Sequence, residues 1–183
     1  MIKSSIVFTL VLIFLSSAIA AEVTLKEESI LHFNEMTKVL QHPRCLNCHV
    51  SGRFPTQGMD LHNHAMNVQR GSDNQGAVGM RCATCHGTEN NRNSKVPGAP
   101  NWALAPLSMR WQGLSKRELC LSIKDPKKNN NMNLEKLIKH NAEDKLVGWG
   151  WNPGEDREPA PGTQKEFGAL TAQWVASGAE CPK

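Results

Sequence analysis

Stretches with an apolar residue every three or four positions alternate along this chain with stretches that have no period at all. Ile30, Phe33, Met36 or Thr37, and Leu40 fall on one stripe, which predicts a helix ending before Pro43. Leu134, Leu137 and Ile138 form a shorter stripe after Asn133 or Asn131, and Phe167, Leu170 and Trp174 form another that stops near Gly178. Thr24 to Glu27, Ser115 to Glu118 and Thr163 to Glu166 each set a hydroxyl residue three positions before a glutamate. That spacing lets two orphan amide donors be paired reciprocally at a helix start. No strand alternation stands out. The segments 52–79 and 90–106 are rich in Gly, Pro, Asn and Ser and read as ordered loops. The expected fold class is all-α: a compact helical domain with long ordered loops.

The first twenty residues follow a different grammar. Lys3 precedes an apolar run from Ile6 to Leu15 broken only by Thr9, and Ala18-Ile19-Ala20 forms a small-x-small cleavage site, which predicts an export signal over 1–20 that is removed. The run is short for a membrane span, no cysteine precedes Cys45 to carry a lipid, and mean hydropathy is −0.43. The expected mature chain, 21–183, is one domain without a membrane span, exported to a bacterial periplasm. Its aromatic content is only 5% with no tyrosine, so the apolar core would have to be supplied in part by something other than side chains. The formal charge of +4 includes Lys3 and gives no support for nucleic-acid binding. Between Arg110 and Lys145 nine Lys/Arg face five Asp/Glu, a pattern that a solvated helix face explains and that would also steer an acidic redox partner.

Cysteine chemistry changes the picture most. Cys45-Leu46-Asn47-Cys48-His49 and Cys82-Ala83-Thr84-Cys85-His86 are two copies of Cys-x-x-Cys-His, the c-type haem attachment pattern. In that pattern both cysteines form thioethers to the porphyrin and the adjacent histidine binds iron, and one helical turn presents all three residues. Two rival readings share part of the grammar. A zinc ribbon does not require histidine after both second cysteines, and a thioredoxin-like dithiol needs a strand-helix context that Pro43-Arg44 and Met80-Arg81 do not suggest. The expectation is therefore two covalently bound haem c groups, anchored by Cys45, Cys48, Cys82 and Cys85, with His49 and His86 on the irons. Cys120 and Cys181 remain, as a disulfide in an oxidising compartment or as two buried free thiols.

The sixth iron ligand decides between a closed electron carrier and an open reactive site. His64, in Leu61-His62-Asn63-His64-Ala65-Met66, lies where a loop could fold back over a haem and is the first candidate. His140 borders the apolar face of the helix after Asn133; its plain reading is a surface histidine. Met109 ends a proline-constrained apolar segment; its plain reading is a core methionine beside Trp111. The tryptophans Trp102, Trp111, Trp149, Trp151 and Trp174 read as haem-packing and core residues, and Gly148-Trp149-Gly150-Trp151-Asn152-Pro153-Gly154 marks a structured loop.

Beyond the two motifs, the chain resembles a family of small exported dihaem proteins carrying the label isoquinoline 1-oxidoreductase subunit. The residues that carry the resemblance are His42-Pro43-Arg44-Cys45 with Cys48-His49, Val68-Gln69-Arg70-Gly71, Val96-Pro97-Gly98-Ala99-Pro100-Asn101-Trp102, Ala105-Pro106 with Met109 and Trp111, and Gly148-Trp149-Gly150-Trp151 followed by Pro159-Ala160-Pro161-Gly162. The resemblance implies a cytochrome that accepts electrons from a molybdenum-containing aromatic or aldehyde hydroxylase. The chain carries no signature for molybdopterin, iron-sulfur clusters or flavin, so it is not expected to hydroxylate anything itself. The functional expectation is a periplasmic dihaem cytochrome c passing electrons from a dehydrogenase to a respiratory acceptor, a cytochrome or an oxidase. The rival from another class is a small dihaem enzyme, a peroxidase or a sulfur-compound dehydrogenase, with one open iron site. A haem-based sensor is a third reading, without an output domain to support it.

Overall fold

The computed structural model describes residues 23–154 and 156–183; the expected export signal lies outside them. The described chain is mostly helical, 44% helix against 2% strand, with six helices among the described residues joined by ordered loops. No helix among the described residues is long and apolar enough to cross a membrane.

Helix α1 covers 23–40 and carries the predicted stripe inward, with Phe33 and Met36 fully buried and Leu40 nearly so. Residues 23 and 24 are already helical, so Thr24 lies inside α1 rather than capping it, a correction to the capping-box expectation at this end. After a short break α2, Pro43–Leu46, forms a single turn: His42 caps it by accepting the Arg44 N–H through Nδ1, and Pro43 supplies the fixed φ favoured at a helix start. A two-residue hairpin follows, β1 Thr56–Gln57 paired antiparallel with β2 His62–Asn63. Strands this short have no alternation to read.

Helix α3, Lys116–Lys124, opens on Ser115 with the full capping box: the Ser115 hydroxyl accepts the Glu118 N–H while the Glu118 carboxylate accepts the Ser115 N–H. Asn133 starts α4, Leu134–Glu143, by accepting the Lys136 N–H, and Asp144 starts the short α5, Lys145–Gly148. Thr163 caps α6, Gln164–Ala176, by accepting the Glu166 N–H. The core is where these helices meet: Phe33 packs tilted on Trp174 at 5.3 Å between ring centres, and Leu119, Ile123, Leu137 and Phe167 complete it. Several buried polar groups in this core are paired across elements. The Ser29 hydroxyl donates to the Trp174 carbonyl and accepts the Glu180 N–H, and the Asn141 amide donates to Thr171 Oγ1 between α4 and α6.

Cys120 and Cys181 form a disulfide, which ties α3 to the end of the chain across 61 positions of sequence. The loop-closure argument makes this bridge worth about 4 kcal/mol. Reduction, or Cys120→Ser with Cys181→Ser, is expected to lower the urea midpoint, with the slope of the transition raised because the unfolded chain is less compact without the bridge. A second check concerns the closest helix contact. A Cβ on Gly168 of α6 would stand 2.7 Å from the Ala142 Cα of α4 and closer still to its Cβ. Gly168→Ala should therefore push the two helices apart and cost about 1–3 kcal/mol in the same denaturation experiment, despite alanine's better helix propensity.

Candidate cofactor sites

Each Cys-x-x-Cys-His segment folds as one turn closed by the same bond. The His49 N–H donates to the Cys45 carbonyl at 3.1 Å in and beyond α2, and the His86 N–H donates to the Cys82 carbonyl at 2.9 Å around the 3-10 turn Cys82–Thr84. Both turns gather two thiols and an imidazole within five residues. The four motif cysteines are not in disulfides.

The imidazoles are then fixed from outside in the same way. His49 Nδ1 lies 2.7 Å from the Met109 carbonyl oxygen, and His86 Nδ1 lies 2.7 Å from the Pro97 carbonyl oxygen. A carbonyl can only accept, so each Nδ1 carries the proton and each Nε2 is left with its lone pair, the form a metal-binding imidazole takes. Each ring is also stacked on a tryptophan. His49 lies on Trp111 at 3.3 Å between centres and 9° between planes, and His86 lies on Trp102 at 4.5 Å and 9°. Burial drives the His49 pKa down to about 4 and that of His86 below its usual value, so both are held neutral at physiological pH.

Different loops deliver these partners. The 3-10 turn Leu107–Met109 presents the Met109 carbonyl, and the Trp111 N–H donates back to the His49 carbonyl at 2.9 Å. Pro97 is placed by its neighbour Gly98, where a Cβ would come within 2.8 Å of the Glu89 carbonyl carbon; only glycine allows the loop so near. Asn90 holds that loop to the Gly148–Gly154 segment, its side-chain oxygen accepting from the Gly98 N–H at 3.1 Å and from Trp149 Nε1 at 3.0 Å. Trp149 in turn meets Trp102 edge-on at 4.9 Å.

Two adjoining cavities open beside the motifs. One, of about 260 Å³, is lined by Cys45, Cys48, His49, Met109, Trp111 and His140 among others. The second, of about 420 Å³, is lined by Cys82, Cys85, His86, His64 and Trp102 among others. Arg44, Cys48, Ala103, Leu104 and Trp149 line both, so the wall between them is about one side chain thick.

The three candidate sixth ligands separate clearly. His64 follows β2 directly; its N–H donates to the Pro55 carbonyl at 2.9 Å, and its ring centre lies 5.9 Å from that of His86, at 72°. His64 Nδ1 is 2.8 Å from the Ala65 carbonyl oxygen, which again leaves Nε2 free. Two imidazoles that share a metal through Nε2 bonds of about 2 Å, roughly end to end, have ring centres about 6 Å apart. His140, half-buried on α4, lines the cavity of His49, with its Nδ1 3.5 Å from the Asp144 carboxylate. Met109 stands on the Nδ1 side of His49, and its sulfur accepts the Ser122 hydroxyl at 3.8 Å. Met109 also lines the His49 cavity, so its main-chain carbonyl holds the ring while its side chain packs beside the same site.

Sequence patterns had not exposed the carbonyls of Met109 and Pro97 or the pairing of each histidine with its own tryptophan, because main-chain acceptors leave no compositional trace. The competing chemistries fare less well. Among the described residues no three His, Cys, Asp or Glu side chains converge in the manner of metal ligands. Burial raises the Cys45 thiol to about 12 and Cys48 to about 11, opposite to the lowered pKa of a redox-exchanging dithiol. Compared with protein-family models, with curated proteins and with solved structures, the chain gives no significant match.

Proposed function

We propose that this protein is a dihaem c-type cytochrome that carries electrons between protein partners. The observation that carries the reading is the duplicated site: twice, a Cys-x-x-Cys-His turn sets an imidazole beside a cavity with its Nδ1 on a backbone carbonyl and its face on a tryptophan. The residues fit the group. Trp111 Nε1 is buried with no acceptor among the described residues, in the wall of the first cavity, and an oxygen of a bound cofactor would satisfy it.

Bound haem iron supplies one-electron exchange between its ferric and ferrous states. In this reading Cys45, Cys48, Cys82 and Cys85 fasten the two porphyrins, and His49 and His86 supply the proximal nitrogens. The carbonyls of Met109 and Pro97 hold the imidazole planes and strengthen their donor character. His64, in the cavity of His86, and His140, in the cavity of His49, would be the further residues available to hold each group. The tryptophans exclude water from the imidazoles, which limits reorganisation when charge changes. The thin shared wall favours rapid exchange between the two groups. A periplasmic setting, in keeping with the disulfide, and a molybdenum-containing hydroxylase as electron donor belong to the same proposal.

A second reading draws on one local feature. Leu61, Met66 and Asn67 around His64 adopt left-handed backbone conformations, with φ of 57°, 63° and 53°. Such conformations cost roughly 1 kcal/mol or more for non-glycine residues. A loop strained in this way would yield His64 more readily to a small ligand, giving an enzyme or a gas-binding protein.

Protein matured by a cytochrome c assembly system should have the mass of the chain plus two haems, and lose one on Cys45→Ala with Cys48→Ala or on Cys82→Ala with Cys85→Ala. A mass equal to the polypeptide alone overturns the proposal. Low-temperature EPR is expected to show two low-spin signals. His64→Ala and His140→Ala should each convert one of them to high spin, while Met109→Ala leaves both low-spin. Carbon monoxide binding to the reduced wild type would favour the second reading.

A further inference from the structure

Four arginines, Arg44, Arg70, Arg81 and Arg157, line the larger cavity, and they are not equivalent. Arg70 is 8% exposed, and its guanidinium is saturated by neutral acceptors: the carbonyls of Val50, Gly52 and Ala105 and the Asn74 side-chain oxygen. Arg81 reaches the same cavity but is neutralised by Asp73, through hydrogen bonds of 2.9 and 2.6 Å to its two oxygens. Arg44 is different. It is 7% exposed, Nε donates to the Glu158 carbonyl at 2.6 Å, and Nη2 has only the Met59 sulfur at 3.6 Å. Its carbon centre sits 5.9 Å over the Trp149 ring, in the wall common to both cavities.

Arg157 lines the same cavity as Arg44; burial and the Arg157 charge lower the Arg44 pKa, against some help from Glu158. Arg157 itself donates to the carbonyls of Pro153 and Lys95. Among the described residues neither Arg44 nor Arg157 has a carboxylate within ion-pair distance. A buried guanidinium with unused donors, next to a second cation, is costly unless an anion completes it. The planar fork of arginine matches a carboxylate in particular.

We propose that Arg44 and Arg157 form a carboxylate-binding clamp at the cavity of Cys82, Cys85 and His86, occupied by a propionate of the haem bound there. This rests on the haem reading above. The clamp fixes the cofactor's orientation, and its positive charge favours the reduced iron over the oxidised one. Because Arg44 also lines the cavity of Cys45, Cys48 and His49, its charge acts on both irons, whereas Arg157 lines the larger cavity alone.

The test is a spectroelectrochemical titration of the haem-loaded protein as wild type, Arg44→Gln, Arg44→Lys, Arg157→Gln and the double variant Asp73→Asn with Arg81→Gln, each with its haem content measured by mass. Arg44→Gln should move both reduction steps toward the oxidised form, the step of the His86 haem by about tenfold in the reduced-to-oxidised ratio at fixed potential, about 59 mV for one electron. Arg44→Lys should restore most of that shift, and Arg157→Gln should move one step alone. The double variant Asp73→Asn with Arg81→Gln, which removes a mutually neutral pair, serves as control and should move neither step by a comparable amount. Millimolar sodium formate added to the wild type should leave both steps unchanged if the carboxylate belongs to the covalent cofactor. A saturable shift with formate would assign the clamp to a free carboxylate and overturn the propionate as its occupant. Potentials equal to wild type in both Arg44→Gln and Arg157→Gln, with two haems present, overturn the clamp alone, whereas a chain without haem overturns the reading beneath it.

Discussion

The arrangement of this protein depends on two hydrogen bonds, from His49 Nδ1 to the Met109 carbonyl and from His86 Nδ1 to the Pro97 carbonyl. A histidine attached only through its own short turn is free to rotate about two side-chain bonds and to carry its proton on either nitrogen. The carbonyl removes both freedoms together. Much of the irregular chain serves to bring those acceptors into place. The proline-constrained 3-10 turn at Leu107–Met109 does so for one site, and the loop passing Gly98 does so for the other. Long loops in a helical domain thus have a specific structural task here, and their polar composition reflects the hydrogen bonds that hold them rather than disorder.

The helical frame and the attachment turns were legible in the sequence because each has a local cause. Apolar spacing placed α1, α4 and α6, and hydroxyl or amide caps at Ser115, Asn133 and Thr163 set three starts. The even remainder of two cysteines pointed to the bridge that the fold contains between Cys120 and Cys181, and the free-thiol alternative falls away. What could not be read locally is whatever joins distant segments through the main chain. His64 was singled out only as lying in a loop; its placement near His86 comes from the β1–β2 hairpin and the Pro55 carbonyl, which hold it across the cavity. Thr24 shows the reverse limit, a correct local pattern overridden because the helix is already running at residue 23.

Shortage of aromatic core residues also acquires a physical explanation. Among the described residues, the large aromatics packed deep in the helical core are Phe33, Phe167 and Trp174, together with Trp111 at its edge. Trp102, Trp149 and Trp151 line the two cavities instead. Helices α1, α3, α4 and α6 therefore close on one small apolar cluster braced by the disulfide, while a second set of apolar surfaces faces inward without filling the space between them. A rigid planar group in that space would bury those surfaces and connect α2, the loops and α4. Folding and cofactor attachment would then be coupled, since much of the apolar burial available to the loops is gained only when the group is present.

The two sites share their proximal construction and differ in everything opposite it. His140 projects from the last turn of a regular helix, where Asp144 follows it one turn later and the backbone cannot shift without unwinding α4. His64 sits between left-handed residues on a hairpin exit, with Met66 largely exposed beside it. A ligand on a helix resists displacement, whereas one on a strained loop can be exchanged for little free energy. Arg44 and Arg157 line the cavity that His64 also lines, so the side with the more strained histidine loop is also the one with more positive charge. In the dihaem reading proposed above, positive charge would favour the reduced state and a second imidazole donor the oxidised one. The balance between Arg44 with Arg157 and His64 would then tune the His86 site, while the His49 site would feel Arg44 without Arg157. An ordered pair of potentials would follow, under that proposal, from surroundings that differ around two alike attachment motifs.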